Sequence, residues 1–217
     1  MIKYEKSIYS QNGEDGIIEH IFSKIGTTNK VAVEFGVSQG PSTTENNTRY
    51  LADLGWKLFW FDMLKMKKPV KNCQFKQIKL TLENIEEEFR QTNIPTEFDL
   101  LCIDIDGNDY HIREKLNKYK PRVCVMEYNG TKLSNEEYIM PYNEDYRWKG
   151  WRDDRFGASL LSITKLLDRL GYDLVYVEQN GVNAFYVRKD INVFDKQSVN
   201  TSWRPVAWLK KNENKIL

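Results

Sequence analysis

The chain has 217 residues, with 32 lysines and arginines against 31 aspartates and glutamates, for a formal net charge of +1. That length suits one domain with a substantial core, and a nearly neutral chain without a basic stripe carries no strong nucleic-acid signal. No apolar run approaches the roughly 20 residues that span a bilayer, so no membrane association is expected.

The start, "MIKYEKSIYSQ", lacks the apolar stretch of a secretion signal. Cys73, Cys102 and Cys124 are odd in number and widely spaced, and two of them lie in apolar runs. They read as buried free thiols in a reducing compartment, and a cytoplasmic location is expected. The first helix is expected after Asn12 as cap, with Glu14 and Asp15 in its first turn. Ile17, Ile18, Ile21, Phe22 and Ile25 form its apolar stripe and Gly26 its stop. "KVAVEFG" then reads as a strand, "TTENNTRYLADLG" as a helix with Tyr50, Leu51 and Leu54 on one side, "KLFWFD" as a second strand and "NCQFKQIKL" as a third. Between the last two, "MLKMKKPVK" reads as a solvated loop. "TLENIEEEFRQT" predicts a helix capped by Thr81 with Ile85 and Phe89 inward. "FDLLCID" is a fourth strand, "DYHIREKLNKY" a helix and "RVCVMEYN" a fifth strand.

The continuous apolar character of the fourth and fifth strands predicts a parallel sheet buried between two helix layers. "SLLSITKLLDRLG" predicts a helix with Leu161, Leu166, Leu167 and Leu170 available to the core. After it, Gln-Asn-Gly between two strand-like runs predicts an antiparallel hairpin. An alternating α/β domain that closes on such a hairpin fits class I methyltransferases better than dinucleotide-binding domains. The domain is expected over residues 1–189, with 190–217 as a C-terminal tail.

In an open parallel sheet, ligands bind beyond the carboxyl ends of the strands. The first strand ends in "EFGVSQG", with Glu34, Gly36 and Gly40, a spacing unlike G-x-G-x-x-G. The second ends in Asp62, where a carboxylate can accept hydrogen bonds from both ribose hydroxyls. The fourth ends in Asp104 and Asp106, the fifth in Glu127 and Asn129. Residues two apart on a strand face the same way, so these four can hold a divalent cation such as Mg or Mn, hold substrate hydroxyls, or supply a general base. The aspartate–glycine order of "DIDGNDYH" is wrong for an EF-hand calcium loop. His111, just inside the next helix, is a candidate for proton transfer, while His20 reads as structural.

Residues 129–157 have weak periodicity. They interleave Tyr138, Tyr142, Tyr146, Trp148, Trp151 and Phe156 with Arg147, Lys149, Arg152, Asp153, Asp154 and Arg155. A segment this long and this aromatic reads as a lid or substrate platform suited to a sugar or other hydroxylated acceptor. The alternative is an oligomer contact, which would make the chain a homo-oligomer, or additional core.

Together "YSQNGEDGIIEHIF", "VEFGVSQG", "ENNTRYL", "DLGW", "IDIDGNDY" and "VMEYN" resemble the FkbM-type and related S-adenosylmethionine-dependent methyltransferases, over roughly residues 9–188. The resemblance implies a three-layer, Rossmann-like α/β fold, with a seven-stranded, mostly parallel sheet and an antiparallel last strand. It implies S-adenosylmethionine as cofactor, with Glu34, Gly36 and Gly40 under its methionine part, Asp62 on its ribose and Asp104 near its sulfonium. Gln11, Glu14 and Asp15 would close the pocket, while Asn47 and Thr48 support the glycine loop. The implied activity is O-methylation of a sugar or another small hydroxylated acceptor, with Asp106 or His111 taking the proton. Catechol-type O-methyltransferases hold Mg²⁺ at the ends of these same two strands, whereas many FkbM-type enzymes need no metal. A methyltransferase-like fold kept as a binding or assembly module, without turnover, is the second reading. A nucleic-acid methyltransferase is weaker, since the chain lacks an Asn-Pro-Pro-Tyr-like motif and a basic face.

Overall fold

The computed structural model describes residues 1–37, 46–66, 68–150 and 153–207. The β-branched and aromatic runs form strands β1 (Val31–Phe35), β2 (Lys57–Asp62), β3 (Cys73–Gln77), β4 (Leu100–Ile103) and β5 (Val123–Glu127). All pair in parallel: β1 lies between β2 and β4, β3 outside β2, and β5 outside β4. The hairpin joins β6 (Tyr172–Val177) to β7 (Asn183–Arg188), and β7 pairs antiparallel with both β5 and β6. Its turn is held by the buried Glu178, whose carboxylate accepts the N–H groups of Asn180, Val182 and Asn183. The resulting order, 3-2-1-4-5-7-6 with β7 antiparallel, is that of the class I methyltransferase sheet, a Rossmann-like α/β fold.

Side chains alternate between the two faces of each strand and so build two cores. On one face, α1 (Glu14–Ile25) and α2 (Arg49–Asp53) set Ile17, Ile18, Ile21, Phe22 and Leu51 against Ala32, Leu58, Trp60, Leu100 and Val125. On the other, α3 (Ile85–Gln91), α4 (Asp109–Lys115) and α5 (Leu160–Arg169) set Ile85, Phe89, Ile112, Leu160 and Ile163 against Val33, Phe35, Leu101 and Met126. Each such side chain contributes roughly 1.5–3 kcal/mol by leaving water.

Several helix details differ from the sequence reading. Asn12 does not cap α1: Gly13 stands there at φ +96°, and the chain before it is gathered by Asp15 instead. One Asp15 oxygen accepts the N–H groups of Ile8, Tyr9 and Ser10 at 2.7–2.8 Å, while Ser10 Oγ accepts the Asp15 N–H at 3.1 Å. Thr81 and Asn84 exchange side-chain and backbone hydrogen bonds in a turn of their own, so α3 starts only at Ile85. In α5, capped by Ser159, the buried stripe is Leu160, Ile163, Leu166 and Leu167, and Leu161 falls off it. Leu54, expected inward, is exposed because α2 ends at Asp53.

The described part of the tail belongs to the domain. The Gln197 N–H donates to the Leu174 carbonyl at 2.8 Å, alongside the outer strand β6. A short helix, α6 (Val199–Ser202), then leads to Trp203, whose Nε1 donates to the Lys132 carbonyl at 2.7 Å. The Tyr128 hydroxyl donates to the Arg204 carbonyl at 2.7 Å. The three cysteines are free, with Cys102 and Cys124 buried and Cys73 partly so. Among the described residues no helix is long and apolar enough to cross a membrane.

Candidate functional site

A cavity of about 870 Å³ opens above the carboxyl ends of the strands. Gly36 and Val37 border it after β1, Asp62 to Lys65 after β2, and Ile78 to Leu80 after β3. Asp104 to Asp106 border it after β4, and Glu127 and Tyr128 after β5. Gly36 has to be glycine: it sits at φ +76°, and a Cβ there would overlap the Asp104 carbonyl oxygen. Asp62, half-buried, accepts the Leu64 N–H through one oxygen at 2.5 Å. Burial, partly offset by that bond, raises its pKa, and the charge of Asp106 adds to the rise.

Asp104, Asp106 and Glu127 form the centre of the floor. One carboxylate oxygen of each lies within 4.8 Å of the others. Burial raises Asp104 and Glu127 well above the usual carboxylate range, and the negative charge of the neighbouring acids raises them further. Asp106, which reaches solvent, is also raised by partial burial. Among the described residues no lysine or arginine pairs with any of the three. One Glu127 oxygen is buried without a hydrogen-bond partner. Three carboxyl groups this close cannot all stay ionised without a cation or a shared proton between them. The set therefore suits a hard divalent cation or a hydroxyl that gives up its proton.

Other expected residues have different surroundings. Glu34 is buried beneath the floor and does not line the cavity: its oxygens accept the N–H groups of Asn47 (2.7 Å) and Thr48 (3.1 Å), and the Thr48 hydroxyl. Asn129 is not brought to the carboxylates. Its amide donates to the carbonyls of Asp154 and Phe156, and its Oδ1 accepts from the N–H and hydroxyl of Thr131, which uses its whole capacity. His111 also points elsewhere, with Nε2 2.7 Å from the Met140 carbonyl oxygen and its ring edge-on to Tyr142. Gln11 reaches the cavity from the N-terminal segment. Glu14 is buried behind it, accepting from Asn183 Nδ2 at 2.9 Å and from the Asn12 N–H at 2.7 Å. Gly40 and Ser38 lie outside the described residues, as do Trp151, Arg152 and the end of the tail.

The segment after β5 runs along one side of the cavity, which Glu144, Tyr146, Arg147, Trp148 and Phe156 line. It is fixed to the body at several points. Met140 meets His111, and Asn143 exchanges two hydrogen bonds with Asn108 at 2.9 and 3.2 Å. Lys79 meets Asp145 at 3.1 Å, and the Leu82 N–H reaches the Tyr142 hydroxyl at 3.3 Å. Asp153 orders the aromatics, accepting from the Tyr146 hydroxyl at 2.9 Å and, through its carbonyl, from Trp148 Nε1 at 3.3 Å.

Sequence reasoning missed residues of the wall and one buried behind it. Gly181, Val182 and Val206 line the cavity although they lie in the hairpin turn and the tail. Asp109 lies under the Asp106 turn, and the Asp-Gly-Asn-Asp spacing, which favours side-chain-to-backbone bonds, was the available signal.

No protein-family model matches the sequence, and no curated protein matches it. Solved structures similar to it include two methyltransferases. One is the MycE methyltransferase of the mycinamycin biosynthetic pathway, solved with Mg, SAH and mycinamycin VI. It has 14% identity and a TM-score of 0.48, covering 83% of this chain and 51% of that one. The chain thus spans about half the length of MycE. The other is magnesium protoporphyrin IX methyltransferase (ChlM) from Synechocystis PCC 6803 with bound SAH. It has 10% identity and a TM-score of 0.45, covering 81% of each chain.

Proposed function

We propose that the protein is an FkbM-type, S-adenosylmethionine-dependent methyltransferase that methylates an oxygen of a sugar or another small hydroxylated acceptor. The observation that carries the reading is the set of carboxylates at successive strand ends, Asp62, Asp104, Asp106 and Glu127, opening into one cavity of a class I methyltransferase sheet. The cavity volume is of the order that nucleotide-sized ligands need. S-adenosylmethionine would supply a methyl group on a positively charged sulfur.

Each residue then has a task. Asp62 keeps one oxygen clear of the Leu64 N–H and offers it to the ribose hydroxyls. Gly36 and Val37 give a side-chain-poor surface beside Asp104, whose buried carboxylate a positive sulfur would favour in its ionised form. Gln11 closes the same end from the N-terminal segment. Tyr146, Trp148 and Phe156 exclude water and present ring faces to the acceptor, whose hydroxyl is aligned with the methyl group. Asp106, the most accessible acid of the three, takes the hydroxyl proton as the new carbon–oxygen bond forms, leaving S-adenosylhomocysteine. His111 holds the lid through Met140 and takes no proton in this scheme.

A divalent cation, Mg or Mn, fits the donor set, because three carboxylates converge and one Glu127 oxygen lacks a partner. Asp104, Asp106 and Glu127 would hold it, and its chemistry there would be to lower the pKa of an acceptor hydroxyl. Cytoplasmic residence is part of the same proposal.

The test is to incubate the protein with S-adenosylmethionine and a panel of free and nucleotide-linked sugars, with and without Mg²⁺, and measure S-adenosylhomocysteine release. Turnover with a hydroxylated acceptor is the expected result. Stable assembly in solution with neither turnover nor cofactor binding would favour the assembly-module reading.

A further inference from the structure

The turn after β4 is built around a carboxylate that plays no part in the methyl-transfer scheme. Asp109, buried at the start of α4, accepts the Ile105 N–H through Oδ1 at 2.8 Å and the Gly107 N–H through Oδ2 at 2.9 Å. Between those two amides stands Asp106 at φ +59°, in the left-handed region that a residue with a Cβ seldom occupies. Among the described residues, no hydrogen bond of the Asp106 side chain itself holds it there. Above the turn, a Cβ at Gly107 would lie 2.5 Å from the Tyr146 ring, and Asn108 clasps Asn143. The backbone around Asp106 is thus fixed from below by one side chain and covered from above by the lid.

We propose that Asp109 is a positioning residue, which binds the backbone on both sides of Asp106 and so keeps that carboxylate beside Asp104 and Glu127. What the positioned carboxylate then does rests on the methyl-transfer reading; the positioning itself does not.

Asp109→Asn keeps the size of the side chain but turns an NH₂ group toward one of the two amides. Residue-resolved hydrogen exchange on the variant should show Ile105 and Gly107 exchanging about tenfold faster or more, with the β4 amides unchanged. In an Asp106→Gly background, where positive φ comes without strain, Asp109→Asn should lower the thermal midpoint more than it does in the parent chain, where release of the strain at Asp106 offsets part of the loss. Affinity for S-adenosylhomocysteine, measured by calorimetry, should stay within about threefold, because Asp62 and Gly36 are untouched. Retained protection at Ile105 and Gly107, an equal loss throughout β4, or the same midpoint loss in both backgrounds would reduce Asp109 to a cap of α4 and overturn the proposal. Absence of S-adenosylhomocysteine binding by the parent protein would count against the methyl-transfer reading, while the exchange result would still decide the role of Asp109.

Discussion

Asp106 and Asp104 stand two residues apart, yet their surroundings differ. Asp104 is pressed against Glu127 and the end of β1, whereas Asp106 reaches solvent from a left-handed turn. Asp106→Asn should therefore lower methyl transfer by about a hundredfold or more while changing S-adenosylhomocysteine affinity less than about threefold. S-adenosylhomocysteine release and calorimetry would read the two effects separately, and equal loss of both would move Asp106 into cofactor binding. The residues at strand ends were legible in the sequence because each apolar run stops at a carboxylate: Asp62, Asp104 and Glu127. What remained illegible was which carboxylates the backbone would claim. Glu34 also sits at the end of its strand, but the free N–H groups at the start of α2 engage it. Asn129 was placed at the right strand end, and a loop 25 to 27 residues further on takes its amide.

At the scale of elements, the strands and the hairpin were predictable because apolar runs and Asn-Gly are local signals. The segment after β5 stood out only by length and aromatic content, because its anchors join residues far apart in the chain, such as Asn108 with Asn143. Asn129 anchors the start of this segment, with four hydrogen bonds made by one side chain. Asn129→Ala should destabilise the protein by about 2–3 kcal/mol, since buried carbonyls lose their donor. Urea unfolding would measure it, and a loss below about 0.5 kcal/mol would mean that these bonds are replaced by water. The tail is a second element the sequence did not place. Gly181 stands at φ +74°, with the Pro205 carbonyl oxygen only 2.5 Å from where its Cβ would be. Gly181→Ala should thus strain the hairpin turn, push the tail off the cavity wall, and lower the thermal midpoint. An unchanged midpoint would show that the tail gives way without cost.

Over the whole molecule, the buried acids tie stability to pH. Burial lifts Glu34 from its ordinary 4.5 to about 7, with bonds from Thr48 and Asn47 opposing the shift; burial lifts Glu178 likewise to about 7. Both hold a proton more tightly folded than unfolded, so between pH 4.5 and 7 the folded state carries more protons. Their contribution is therefore full below that window and is lost as the pH rises through it. Urea midpoints should fall across that range, and Glu34→Gln should flatten the fall. A midpoint that rises across the window in the parent protein would contradict this. Burial likewise raises the carboxylates that line the cavity, Asp62, Asp104, Asp106 and Glu127.

The methyl-transfer reading stands or falls on whether the strand ends bind the cofactor, and the most direct measurement is a calorimetric titration of S-adenosylhomocysteine into the parent protein and Asp62→Ala. Saturable binding at one site per chain is predicted, weakened about tenfold or more by the substitution, as expected when a buried ligand hydroxyl loses a charged acceptor. No binding at millimolar ligand, or equal binding by both proteins, would contradict it.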